Sequence, residues 1–393
     1  MNKAGNNTMW SVITREIGRM RRHGVYIFIT LIGPLFAMWL LMEIFSQGVP
    51  RDLPVAVVDL DHTSMAAKVS RMVDETSIAK VQEQHPSVWS AKQSMELGNI
   101  QAIVVIPKNT EKQILKGEGA NLAFYVNNTN SLQGGLLKSG VLKTLKTLST
   151  GIKLTTAKKM GLPEEKAMGR VMPVRLVAHR LFNPFTNYSY FLTAGILPVF
   201  LVVFVLMSAI YAIGIELKEG TGKQWLESAG NSITVAVTGK LLPYTLILMV
   251  VTMVMNYILF SYLGTPLHGS FGMILIAELL MIVTYQLIAV AILALTANMR
   301  LALSFGVAYS MMALTFSGLT FPRIGMPYIA DLYAAIFPYS YWLKIFLGQS
   351  LRGEPMVNGV GNLYVFFIFI TIGFLLMPKL KTVLANEKYW GKE

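Results

Sequence analysis

Six stretches of this 393-residue chain are almost free of charge: Val25 to Phe45, Ser189 to Gly214, Leu241 to Leu263, Phe271 to Ala297, Leu301 to Thr320 and Leu363 to Met377. About 20 apolar residues of helix cross the hydrocarbon core of a bilayer. Each stretch is therefore predicted to be a transmembrane helix, the last extending beyond its apolar centre. Ahead of the first, Trp10, Ile13, Ile17 and Met20 recur at helical spacing, with Arg15, Arg19 and Arg22 between them. That pattern predicts an amphipathic helix, Met9 to Arg22, lying on the inner leaflet or meeting a cytoplasmic partner. No small-residue cleavage site follows Phe45, so the first span reads as an anchor and not as a signal peptide.

Between the first two spans the pattern changes. Leu53 to Asp61 is an apolar strand running into a turn, and Thr63 to Thr76 has the form of a capped helix. Further strands are predicted near Lys80 to Gln82, over Ala102 to Ile106 and over Leu122 to Val126, with helices over Ser87 to Leu97 and Thr110 to Lys116. Leu136, Leu137, Val141, Leu145, Leu148 and Ile152 mark one long helix from Ser131 to Met160, with Gly151 as a bend point. A last strand is expected over Val171 to Ala178. Such alternation implies an α/β sandwich around a parallel or mixed sheet.

The expected fold class is a multi-span α-helical membrane protein of six transmembrane helices with an inserted extracytoplasmic α/β domain. Its expected divisions are a cytoplasmic N-terminal helix (1–24), the first span (25–46), the α/β domain (47–185), spans two to six (186–378) and a cytoplasmic tail (379–393). Between spans five and six, Pro322, Pro327 and Pro338, with Asp331 and Lys344, break residues 321–349 into short outward helices or a re-entrant hairpin.

Composition supports this. Hydrophobic residues make up 53% and charged residues 14%, against about 25% charged in soluble chains. With no cysteine there is no disulfide framework, thiol nucleophile or thiolate-held metal. The net charge is +13, and thirteen of the 34 Lys and Arg residues flank the same ends of the spans: before span one, after span two (Lys218, Lys223, Lys240), after span four (Arg300) and after span six. The opposite short segments hold only Arg323, Lys344 and Arg352. By the positive-inside rule both termini are cytoplasmic, the protein sits in the inner (cytoplasmic) membrane, and the large domain faces outward. No nucleic-acid motif accompanies the charge, so nucleic acid is not an expected partner.

Catalytic chemistry is sparse. Glu219-Gly-Thr-Gly-Lys223 lacks the first Gly and final Ser/Thr of a phosphate-binding loop and follows no strand, so the chain is not expected to bind ATP itself. Asp59 and Asp61 read as helix-capping carboxylates more readily than as metal ligands, the five histidines have no zinc spacing, and no nucleophile elbow is present. Glu278 lies inside span four, where a carboxylate is costly unless paired or wet. It is either functional or paired with a segment such as the one bearing Lys344 or Arg323. Gln286, eight residues on, shares its helical face. Glu43 is read as interfacial. The charged 215–240 segment, broken by Gly230, forms a rigid projection able to take force from a soluble partner.

Three stretches together resemble the type-2 ATP-binding-cassette permeases. Leu181-Phe-Asn-Pro-Phe-Thr-Asn-Tyr-Ser-Tyr-Phe-Leu-Thr-Ala-Gly-Ile196 resembles the family's lead-in to its second span, with Ala194 where Pro is common. Glu216-Leu-Lys-Glu-Gly-Thr221 through Gly239-Lys-Leu-Leu-Pro243 resembles its coupling segment, with Ala229-Gly230 in place of the usual Thr-Pro. Phe316 to Pro327 and Phe337-Pro-Tyr-Ser-Tyr-Trp342 resemble its late Pro-Tyr hairpin. The resemblance implies an exporter subunit that pairs with a second permease subunit, identical or not, and with a separate ATPase carrying ATP and Mg. A periplasmic adaptor is a further candidate partner. By the same resemblance, Glu216, Lys218, Glu219, Gly220, Thr221 and Trp225, together with the Met9–Arg22 helix, would receive the ATPase. Gln286, Pro322, Pro327, Pro338 and Tyr339, with Glu278, would belong to the pathway or its outer gate. No catalytic residue, metal or cofactor is expected in this chain. The other reading is an ion-coupled secondary transporter driven through Glu278.

Overall fold

The computed structural model describes residues 9–46, 48–161, 163–172, 179, 181–183 and 187–391. It divides into two compact units, Val49–His179 and the remainder of the chain.

Among the described residues, six helices of the larger unit are long and apolar enough to cross a membrane: Gly24–Phe45, Leu192–Lys218, Ile233–Tyr262, Phe271–Thr296, Met299–Phe316 and Met356–Ala385. In its most apolar window span two is 67% buried, against 28%, 22% and 17% for spans one, five and six. Span two is therefore central, and those three turn most of their surface outward. In span one, Pro34 cannot donate to the carbonyl a turn earlier, and a π-helical stretch, Phe28–Ile32, directly precedes it. A Cβ on Gly33 would lie 2.6 Å from Phe204 Cε1, so glycine there lets spans one and two meet closely. Spans four and five are joined by a turn in which Ala297 takes φ +48 and the Asn298 side chain accepts from Leu301 N at 2.9 Å.

Two boundaries differ from expectation. Span three starts at Ile233 and not at Leu241, because Lys240 sits within the helix and is fully buried. Span six runs from Met356 to Ala385, far beyond its apolar centre, with Lys379 and Lys381 in its last turns.

The smaller unit holds a four-stranded sheet: β1 (Leu53–Asp59), β2 (Ala79–Gln84), β3 (Ala102–Ile106) and β4 (Ala123–Val126). Their order is β2-β1-β3-β4. β1 pairs parallel with β2 and β3, while β4 runs antiparallel to β3, so the sheet is mixed. Alternate residues of β1 serve opposite faces. Val55 and Val57 join a core with Val69, Leu137 and Val141, while Ala56 and Val58 join another with Ala91 and Ile103. The helix Ser131–Lys159 passes unbroken through Gly151. Of the strand expected over Val171 to Ala178, Val171 instead ends a helix, Glu164–Val171, and residues 173–178 lie outside the described residues.

Candidate functional site

At one end of the helical unit, four segments converge on a buried carboxylate. The last turn of span two carries Glu216, which has no solvent exposure. Arg15 grips it with both guanidinium nitrogens, Nη1 to Oε1 at 2.6 Å and Nη2 to Oε2 at 2.9 Å. Such a fork is the strongest form of carboxylate recognition. Arg19 and the Thr221 hydroxyl also donate to Glu216. From span three, Lys240 Nζ reaches Glu216 Oε1 at 2.7 Å and Glu16 Oε2 at 2.5 Å, and its ammonium lies 4.9 Å from the centre of the Trp225 ring. Tyr244 donates its hydroxyl to Glu16 Oε1 at 2.5 Å. Glu219, partly exposed, pairs with Arg19. Arg15, Arg19 and Lys240 thus balance Glu16, Glu216 and Glu219. Burial alone would lower the Arg19 pKa, yet the Glu216 carboxylate beside it raises it above the ordinary arginine value.

Local sequence explains how these groups meet. Gly220 takes φ +67, a conformation natural to glycine, and turns the chain out of span two into a short helix, Gly222–Ser228. Gly230 and Asn231, at φ +63 and +62, turn it back, and Ser232 caps span three. The N-terminal helix Met9–Arg22 docks through Val12, Glu16 and Met20, a stripe at i, i+4, i+8. A Cβ on Gly239 would meet Val12 Cβ at 3.0 Å, so glycine permits this close approach. Here the structure corrects the sequence reading: Arg15 and Arg19, assigned to the polar face of a helix on the leaflet, turn inward to the bundle, while Trp10 is exposed.

The elbow residues divide into two sets. Glu216, Thr221 and Trp225 face inward, and Trp225 has no exposure. Lys218 and Glu219 are exposed and Gly220 is intermediate. Glu16 and Tyr244 carried no sequence signal that marked them, and Lys240 looked like an ordinary charge at a span end.

Glu278 and Gln286 both face span three. Glu278 Oε2 accepts from Asn256 Nδ2 at 2.8 Å, and Gln286 Oε1 accepts from Thr245 Oγ1 at 2.9 Å. The expected partners of Glu278 are engaged elsewhere: Arg323 Nε donates to Asp331 at 2.6 Å, and the Lys344 ammonium lies 5.7 Å from the Tyr341 ring centre. In the 321–349 segment Pro322 precedes a 3-10 turn, Pro327 caps the helix Tyr328–Ala334, and Pro338 opens the helix Pro338–Leu347. That last helix is buried. Tyr339 has no exposure, donates its hydroxyl to the Gly195 carbonyl and stacks on Trp342. Arg323, Asp331 and the prolines are thus far apart in role from the Glu216 network.

Comparison with protein-family models matches residues 25–377 to the ABC-2 family transporter protein. No curated protein matches the chain. The match spans all but the two ends, and six apolar helices agree with a multi-pass membrane component. The chain belongs to the ABC-2 transporter family and is an ATP-binding-cassette permease.

Proposed function

We propose that this permease is the membrane subunit of an ATP-driven exporter, working as a dimer and coupled to a separate ATPase that carries ATP and Mg. The observation that carries this reading is the Glu216 network. It joins the N-terminal helix, the end of span two, the elbow and span three by charge-assisted bonds. A push on the exposed Lys218 and Glu219 would then move spans two and three together. In this assignment Glu216, Thr221 and Trp225 hold the shape of the elbow, and Lys218 and Glu219 meet the ATPase.

The thirteen basic residues at span ends support a cytoplasmic elbow and cytoplasmic termini, with the protein in the inner membrane of the cell. One crossing by span one then carries the α/β unit to the outside, where it would receive or pass on cargo. The buried Tyr339 helix would brace an outer gate. Closure of the ATPase around ATP would shift the pathway between inward and outward access.

Purification of the tagged chain from native membranes in mild detergent is expected to bring down a stoichiometric ATPase. Glu219→Lys, which also sets a cation against Arg19, should abolish stimulation of that ATPase while the permease still reaches the membrane. Full stimulation by this variant would refute the coupling assignment. Transport that stops on collapse of the proton gradient but survives ATP depletion would favour the secondary-transporter reading.

A further inference from the structure

The network grips the elbow from within, and the C-terminus grips it from outside. Span six ends at Ala385, and a 3-10 turn, Glu387–Tyr389, delivers Trp390 to the elbow. The Trp390 ring lies on Gly220, where an added Cβ would stand 3.1 Å from Trp390 Cε3. The Gly391 amide donates to the Leu217 carbonyl at 3.2 Å, satisfying an acceptor left open at the end of span two. Trp390 Nε1 donates to the Leu384 carbonyl at 3.0 Å, which fixes the ring to its own helix. Lys223, on the elbow helix, pairs with Glu387 at 2.6 Å and lies 5.1 Å from the Trp390 ring centre. Lys381 Nζ donates to the Asn231 carbonyl at 2.6 Å, at the far end of the elbow.

Residues 386–391 have no core of their own, so their order comes from these contacts. The tail's own contacts fall on Leu217, Gly220 and Lys223, on the side of the elbow away from Glu216, while Lys381 of span six holds Asn231. Loss of the network would separate helices inside the bundle. Loss of the tail would leave the bundle intact and loosen only the segment that carries the exposed residues.

We propose that residues 386–391 form a strap, with Trp390 as its positioning residue, that holds the elbow in the shape the ATPase recognises. This rests on the coupling reading above, and its first test needs no ATPase. Amide exchange is measured on the full-length permease in lipid nanodiscs. Trp390→Ala should speed exchange across 217–228 by about tenfold and leave span four unchanged, while Trp390→Phe, which keeps a ring on Gly220, should restore most of the protection. Lys223→Gln should move exchange in the same direction by less. Unchanged exchange in Trp390→Ala would overturn the strap.

The second test titrates the co-purifying ATPase. Trp390→Ala should raise the ATPase concentration giving half-maximal stimulation several-fold, with the KM for ATP unchanged. A lower maximal rate at unchanged half-saturation would overturn the positioning role. If Glu219→Lys leaves stimulation intact, the coupling reading falls, and the exchange measurement still decides whether the strap exists.

Discussion

Replacing Lys240 by Met removes the one cation that bridges Glu16 and Glu216. Glu216 keeps Arg15, Arg19 and Thr221, but Glu16, 1% exposed, keeps only the Tyr244 hydroxyl. Breaking a buried ion pair by removing one partner costs about 3 to 5 kcal/mol, because the other charge is left uncompensated. Thermal unfolding in detergent, followed by tryptophan fluorescence, should show Lys240→Met melting about 5 °C below the parent at pH 7. The double variant Glu16→Gln/Lys240→Met should recover most of the loss, since a neutral amide accepts the Tyr244 hydroxyl without needing a cation. A midpoint unchanged at pH 7, or a double variant no better than Lys240→Met alone, would refute a buried, mutually neutralising network.

The remaining expectations concern other parts of the molecule. A Cβ on Gly373 would stand 2.6 Å from Leu287 Cβ and 3.1 Å from the Leu287 carbonyl oxygen, so Gly373→Ala should force spans four and six apart and cost about 1 to 3 kcal/mol in the same melt. Glu278→Gln preserves an oxygen for Asn256 Nδ2 and should melt at or above the parent midpoint, with ATP-driven transport retained; loss of transport in a stably folded variant would give Glu278 a functional role. In the α/β unit, hydrogen bonds from Lys80 and the Val81 amide hold the Asp74 pKa below its usual value, and bonds from Ser94 and His85 do the same for Glu83. Depressed carboxylates contribute stability above their ordinary range and lose it as pH falls through their folded values. Exchange protection factors in β2, which contains Glu83 and is held by Asp74 through Lys80 and Val81, should therefore fall below about pH 4 before those of the fully buried β3 do.

The six spans, the N-terminal helix and the mixed sheet were legible because each rests on a local signal. An apolar run of bilayer length, a helical stripe or a strand bounded by turns is written within some thirty residues of chain. The E-x-x-x-G-T sequence from Glu216 also pointed to the elbow, since its Gly220 turn is a local requirement. What local pattern left open was which way each charge faces. Arg15 and Arg19 counted as cytoplasmic flanks, and Lys240 as the end of a span. In the structure all three turn toward Glu216, from positions 201, 197 and 24 residues away, and Glu16 meets Lys240 across 224 residues and Tyr244 across 228. A charge in the sequence has the same sign whether water or a carboxylate surrounds it. Pairing at that separation leaves no periodicity to read. Trp390 illustrates the same limit: nothing in its local sequence marks it, and only folding placed its ring on Gly220, 170 positions earlier in the chain. Local hydrophobic period determined the elements, and long-range packing decided which polar groups lost water and so had to find one another.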